Sequence, residues 1–276
     1  MAADLSAAIR AALLTGEPRA KVMATRALVR DWRGGRLPTG FGTLMPERPT
    51  WPARLAVLPP AQLPKRGRGG SARSRIALWH ALAHIEFVAI DLALDMVGRF
   101  GAQMDTGFIA DFLTVAAEEA MHFALIARHL ATMGAAYGDL PVHDGLWQAA
   151  ADTAHDVAAR LAVVPMVLEA RGLDVTPTMQ ARVEAAGDVR GARILTRILA
   201  DEIGHVAVGT RHFTQVARQR GKKPEMFWKS LVERHFRGSQ KPPFNDSARL
   251  AAGLSREFTI AVAPVPQPDL APQRTG

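Results

Sequence analysis

One stretch of this chain is written twice. Residues 117–130 read AEEAMHFALIARHL and, 83 positions later, residues 200–213 read ADEIGHVAVGTRHF. Each copy holds Glu-x-x-His followed by Arg-His: Glu119, His122, Arg128 and His129 in the first, Glu202, His205, Arg211 and His212 in the second. The same offset joins Glu86 to Glu169, each lying 33 residues before its copy of Glu-x-x-His. On an α-helix, residues i and i+3 stand about 60° apart and project from one face. The chain must therefore place two helices that each present a Glu and a His, and two more elements that each present one Glu. An all-α four-helix bundle meets that demand.

Two helices with Glu-x-x-His and two isolated glutamates supply six ligands to a pair of metal ions, with carboxylates able to bridge them. This is the ligand set of carboxylate-bridged di-iron and di-manganese bundles. A lone Glu-x-x-His is common by chance; two copies in register with two further glutamates are specific. The competing reading, surface residues on amphipathic helices, requires polar neighbours on the same face. Glu86 instead shares its face with Trp79, Ala83, Ile90, Ala93 and Val97, and Glu202 with Leu195, Ile198, Leu199, Val206, Gly209 and Phe213. A carboxylate on such a stripe costs several kcal/mol unless paired with Arg or bound to metal.

Glu86, Glu119, His122, Glu169, Glu202 and His205 are accordingly the expected metal ligands and catalytic residues. Glu118, Asp201, Asp152 and Asp174 are candidates to accept the second imidazole N–H, although Glu118 and Asp201 fit an ordinary surface position equally well. His129 and His212 lie two turns beyond the ligand histidines. Phe87, Met121, Phe123 and Met166 either shape a pocket near the metals or are plain core. His80 and His84 form an i, i+4 pair, but His84 points away from Glu86, which favours a structural role.

Composition narrows the remaining classes. The chain has no cysteine, which excludes disulfides, zinc-thiolate sites and iron–sulfur clusters. There is no apolar run of about 18 residues and no secretory leader pattern, so a soluble cytoplasmic protein without a membrane span is expected. The net charge of +8 is concentrated in residues 1–75, where 14 Lys and Arg face four acids, a net of +10. The stretch KRGRGGSARSR, Lys65 to Arg75, with Lys65, Arg66 and Arg68 foremost, offers either an RNA or phosphate grip or a solvated linker.

Three parts are expected: a basic, Pro-rich N-terminal arm over 1–70, the di-metal bundle over 71–221, and a C-terminal helix and Pro-rich tail over 222–276. Helical periodicity covers Ala20 to Trp32; prolines from Pro38 to Pro64 then dictate an extended strap. Ser71 or Ser74 caps a first long helix ending near Arg99, and Asp105 or Thr106 starts a second that ends at Gly134. Glu86 to Arg99 and Thr106 to Glu119 each span 13 residues, so an antiparallel pair brings the two glutamates level. A third helix is expected from Asp144 to Gly172, loosened by Pro165 one turn before Glu169, with a short helix from Thr176 and Pro177. A fourth runs from Asp188 to Arg220, and Met226–Phe236 forms a covering helix.

The runs HALAHIEFVAIDLALD (His80 to Asp95), YGDLPVHDGLW (Tyr137 to Trp147), TAHDVAARLAVVPMVLEARGLDVTP (Thr153 to Pro177) and ILADEIGHVAVG (Ile198 to Gly209) carry a family resemblance. With KVMATRALVRDW and KPPFNDSARLAAG it spans nearly the whole chain. The sequence resembles the ferritin-like superfamily and, more closely, its DUF455 family; tRNA-modifying di-iron hydroxylases are a more distant likeness. The resemblance implies a ferritin-like four-helix bundle with a di-iron centre, two Fe ions or a Mn or mixed Fe/Mn pair. The expected activity is that of an oxidase or hydroxylase using O₂ on a small molecule. A ferroxidase or iron-handling protein, and a tRNA-modifying hydroxylase that binds RNA through the basic arm, are the alternatives.

Overall fold

The computed structural model describes residues 4–63 and 71–260. The expected RNA grip at Lys65, Arg66 and Arg68 lies outside the described residues, as does the tail beyond Ile260. Among the described residues all regular structure is helical, and pairing of the β kind is limited to a parallel bridge between Val57 and Val142.

Four long elements surround the candidate ligands. Helix α3 (Ala72–Phe100) begins where the Ser71 side chain accepts the Ser74 N–H, and α4 (Thr106–Thr132) where Asp105 accepts that of Phe108. Both caps satisfy amides that a helix start leaves open. The turn between them is short, so the helices pack antiparallel along their length. Helix α8 (Val189–Gln219), capped by Asp188, packs on α4 and on α7 (Ala170–Ala185).

The third expected helix is where structure and sequence part. Residues 144–172 form α5 (Gly145–Asp152), α6 (Val157–Val163) and a π-helical turn (Val164–Glu169), and the chain then enters α7 without stopping at Gly172. The break at 153–156 is held by polar groups. The Asp156 side chain caps α6 by accepting the Ala158 N–H, and the buried Arg160 guanidinium donates to Thr153 Oγ1, Ala150 O and Asp95 Oδ2. Pro177 sits inside α7 rather than at the start of a separate helix. Pro165 lacks the amide an α-helical ladder requires, and the i→i+5 turn around it accommodates that loss.

The N-terminal residues form α1 (Leu5–Leu13), which the sequence reading did not anticipate, and α2 (Pro18–Arg33). Helix α1 packs on α3, and α2 on α4; Leu5, Ile9, Leu13, Leu28 and Val29 join the same apolar core as Trp79, Phe87 and Phe213. Residues 37–59 then run irregularly over the helices and lead into a 3₁₀ turn (Pro60–Gln62). Leu58 donates to Val142 O, Val142 donates to Ala56 O, and Arg99 and Trp147 donate to Pro46 O and Glu47 O. On the far side, α9 (Pro224–His235) packs on α6 and α8, and α10 (Asp246–Ala251) on α7 and α8.

Among the described residues, the helix starting at Ala72 meets the length and composition of a membrane span, but 67% of its apolar window is buried inside the protein. The same helix also carries His80, His84, Glu86, Asp91 and Asp95, all buried. Such a polar set marks a core helix.

Candidate metal centre

Helices α3, α4 and α8 converge on one buried cluster. His122 Nδ1 lies 3.4 Å from Glu86 Oε2 and 3.4 Å from Glu119 Oε2. His205 Nδ1 lies 3.0 Å from Glu119 Oε1 and 3.6 Å from Glu202 Oε1. Glu119 thus stands between the two imidazoles, one oxygen toward each. Ligand atoms from Glu86, Glu119, His122 and Glu202 all fall within 4.8 Å of one another, close enough to hold a metal ion. His205 adjoins this group through Glu119 and Glu202. Glu169, at the end of the π turn, falls outside the four-residue group and lines the same cavity as Glu86, Glu119 and Glu202.

The far nitrogen of each imidazole is held from the opposite helix. His122, on α4, faces Asp201 Oδ2 of α8 through Nε2 at 3.0 Å; His205, on α8, faces Glu118 Oε2 of α4 through Nε2 at 2.9 Å. A carboxylate only accepts, so Nε2 carries the proton in both rings and Nδ1 is turned toward the cluster. Each acid precedes a glutamate of the cluster by one residue, about 100° round its helix, which places it at the rim. Of the other proposed partners, Asp152 pairs with Gln148 and Asp174 with Arg249 and Arg171. His129 and His212 are oriented likewise, on Asp188 and Asp111, acids that spacing from the ligands gave no reason to select.

His80 and His84 do not enter the cluster. His80 Nε2 accepts the Gly138 N–H, and His84 bridges the Tyr137 hydroxyl and the His143 carbonyl. Burial pushes the His84 ring down to about 4, so it stays neutral. The pair fastens the connection after α4, with the Trp51 ring of the strap edge-on to His84.

Electrostatics in the cluster are those of too many carboxylates in too little water. Burial and the Glu119 charge raise Glu86 well above the usual carboxylate range, and burial with the Glu202 and Glu119 charges raises Glu169 to about 8. Glu202 is raised by burial and Glu119 as well. Glu119 shifts the other way: burial opposes its ionisation, but His122 and His205 outweigh burial. Burial opposes protonation of His122 too, yet the Glu119 and Glu86 carboxylates push the ring up to about 11. Without a cation the cluster therefore keeps protons to balance its charge.

The donor set passes a direct test of fit. Both oxygens of Glu119, Glu202 Oε2, and Nδ1 of His122 and of His205 are buried with no hydrogen-bond partner. Leaving one such group unmade costs about 1–3 kcal/mol. Five orphaned ligand atoms in one buried cluster match a hard or borderline cation bound by carboxylate and imidazole.

A model of the family described as "Protein of unknown function (DUF455)" matches residues 14–260 of the sequence. The chain belongs to the DUF455 family. An uncharacterized protein of Haemophilus influenzae is 37% identical over 263 residues, which cover 90% of each chain. No solved structure matches.

In this DUF455 chain a cavity of about 690 Å³ reaches the cluster. It lies where α3 and α7 flank one another without close packing, whereas α3–α4, α4–α8 and α8–α7 pack directly. Ala77, Ala81, Ile85, Ala89, Val175, Met179, Leu195 and Ile198 line its walls, and Glu86, Glu119, Glu169 and Glu202 its inner end. Phe87, Met121, Phe123 and Met166 are not among the lining residues. Phe87 and Phe123 pack on each other and on Tyr137, and Met166 is fully buried, so the alternative reading of them as core holds for these three. Four of the α3 wall residues, Ala77, Ala81, Ile85 and Ala89, recur every fourth position, a stripe that sequence alone does not distinguish from core.

Proposed function

We propose that the cluster is a carboxylate-bridged, non-haem di-iron centre of the ferritin-like type, in an enzyme that oxidises or hydroxylates a small molecule with O₂ in the cytoplasm. The orphaned buried ligand atoms of Glu119, His122, Glu202 and His205 carry the reading. Glu86, Glu119, His122 and Glu202, with Glu169 and His205 beside them, would hold the ions. Such a pair, when bound, would supply reduction of O₂ and removal of electrons from a substrate. A manganese or mixed pair would use the same donors.

The chain's own residues perform the rest. Asp201 and Glu118 fix the tautomer of His122 and His205 so that Nδ1 offers its lone pair. The apolar walls exclude water from the reacting end and admit an organic molecule. An oxidase or hydroxylase is favoured over iron storage by those walls, because a cation route would need polar or acidic lining.

Anaerobic Fe(II) titration tests this reading. Two irons per chain are expected, oxidised rapidly when O₂ is admitted, with uptake abolished in Glu119→Ala/Glu202→Ala. A folded wild-type chain that takes up no iron, manganese or cobalt with these residues would overturn it.

A further inference from the structure

We infer that the cavity receives an elongated, largely apolar molecule with one anionic end, seated with the anion at Arg73 and its apolar end at the glutamates. The chemistry at the inner end rests on the metal-centre reading; the binding does not. Arg73 lies in the first turn of α3 and Glu86 lies 13 residues further along it, both on the cavity wall. At about 1.5 Å per residue the two ends are about 20 Å apart along the helix. The volume, about 690 Å³, belongs to the small-molecule range of about 300–1,000 Å³.

Between the ends the walls offer alkyl groups from three helices: Ala77, Ala81 and Ala89 of α3, Val175 and Met179 of α7, Leu195 and Ile198 of α8. His80, His84 and His143 also line the cavity but are engaged with Gly138, Tyr137 and Gly145, so a polar body would lose hydration there with little compensation. The two ends differ in what they offer an anion. At the inner end the His122 and His205 rings already face Glu86, Glu119 and Glu202, so neither is open to a ligand's carboxylate. Arg73 is exposed and makes no ion pair among the described residues. Arg171 also lines the cavity, but its guanidinium donates to Lys241 O and contacts Asp174, so it is already held. Charge therefore gives the occupant one orientation: its apolar end, not its anion, meets the cluster.

Calorimetry of the full-length, metal-free chain with hexadecanoate, whose extended chain matches the span from Arg73 to Glu86, with 1-hexadecanol and with butyrate tests the proposal. One hexadecanoate per chain is expected to bind, at least about tenfold more tightly than 1-hexadecanol and far more tightly than butyrate. Ala81→Trp, which places a large ring on the cavity wall, should abolish hexadecanoate binding. Arg73→Glu, an exposed substitution, should weaken hexadecanoate about tenfold or more and leave 1-hexadecanol unchanged. A folded chain that does not bind hexadecanoate overturns the proposal, as does hexadecanoate binding that is indifferent to Arg73→Glu. Fe(II) uptake measured on the same samples separates the two readings. Iron uptake without hexadecanoate binding sinks only the ligand; hexadecanoate binding without iron uptake sinks only the metal centre.

Discussion

Asp201 and Glu118 do for the imidazoles what the glutamates cannot: each accepts from Nε2 and so leaves Nδ1 free to face inward. Removing such an orienting carboxylate typically costs about 10–100-fold in metal affinity. Asp201→Ala and Glu118→Ala are each expected to lose that much in Fe(II) or Co(II) titrations while the far-ultraviolet helical signal is retained; Asp201→Asn, whose amide oxygen still accepts, should lose less. The same rings set a pH dependence. His122 is pushed up to about 11 from 6.5, so in the metal-free fold it is protonated at neutral pH. Its contribution to metal-free stability is complete below about pH 6.5 and is lost as pH rises through 11. A metal ion must displace that proton, so uptake should release protons and affinity should climb with pH. Calorimetry in buffers of different ionisation enthalpy measures the release, and none at neutral pH would contradict the assignment of Nδ1 as ligand. The spacing of Glu86, Glu119, His122 and Glu202 was readable from sequence because helical phase converts three and four residues into one face. Which acid meets which histidine was not, because Asp201 and Glu118 act between helices, and interhelical pairing depends on a rotation that sequence does not state.

At the scale of elements, caps made the long helices legible. Ser71, Asp105 and Asp188 each accept an amide of the first turn, and the helices start there. The third helix misled because its determinants are tertiary. No Gly or Pro marks the break after Asp152; Thr153 and Arg160 hold it against Asp95 of α3. Gly172, in turn, reads as a stop, but α7 continues because Leu173 and Asp174 are buried against their neighbours and Arg249 binds Asp174 from α10. The π turn that delivers Glu169 depends on a close approach to α8: a Cβ added at Gly209 would lie 2.4 Å from Pro165 Cβ. The proline ring cannot rotate out of the way. Gly209→Ala should therefore cost about 1–3 kcal/mol in urea unfolding, after allowing for the helix propensity gained. A neutral or stabilising result would show that the π turn has room to shift.

Across the whole molecule, buried ion pairs tie the flanking segments to the central helices. Lys21 of α2 pairs with Asp91 of α3, both at 0% side-chain exposure, and Trp51 of the strap donates to the other Asp91 oxygen. Arg160 pairs with Asp95, and Arg249 with Asp174. Breaking one side of such a pair strands a charge, so Asp91→Ala is expected to destabilise by about 3–5 kcal/mol, while Lys21→Met with Asp91→Leu should recover most of that loss. Chemical denaturation of the three chains decides it. The crossed hydrogen bonds between α4 and α8 act at this scale too. Since each helix steers the imidazole borne by the other, a one-turn slide of α8 along α4 would misdirect both rings together, not one. The cluster is thus a clasp whose two hooks hold each other, and it registers the alignment of the helices.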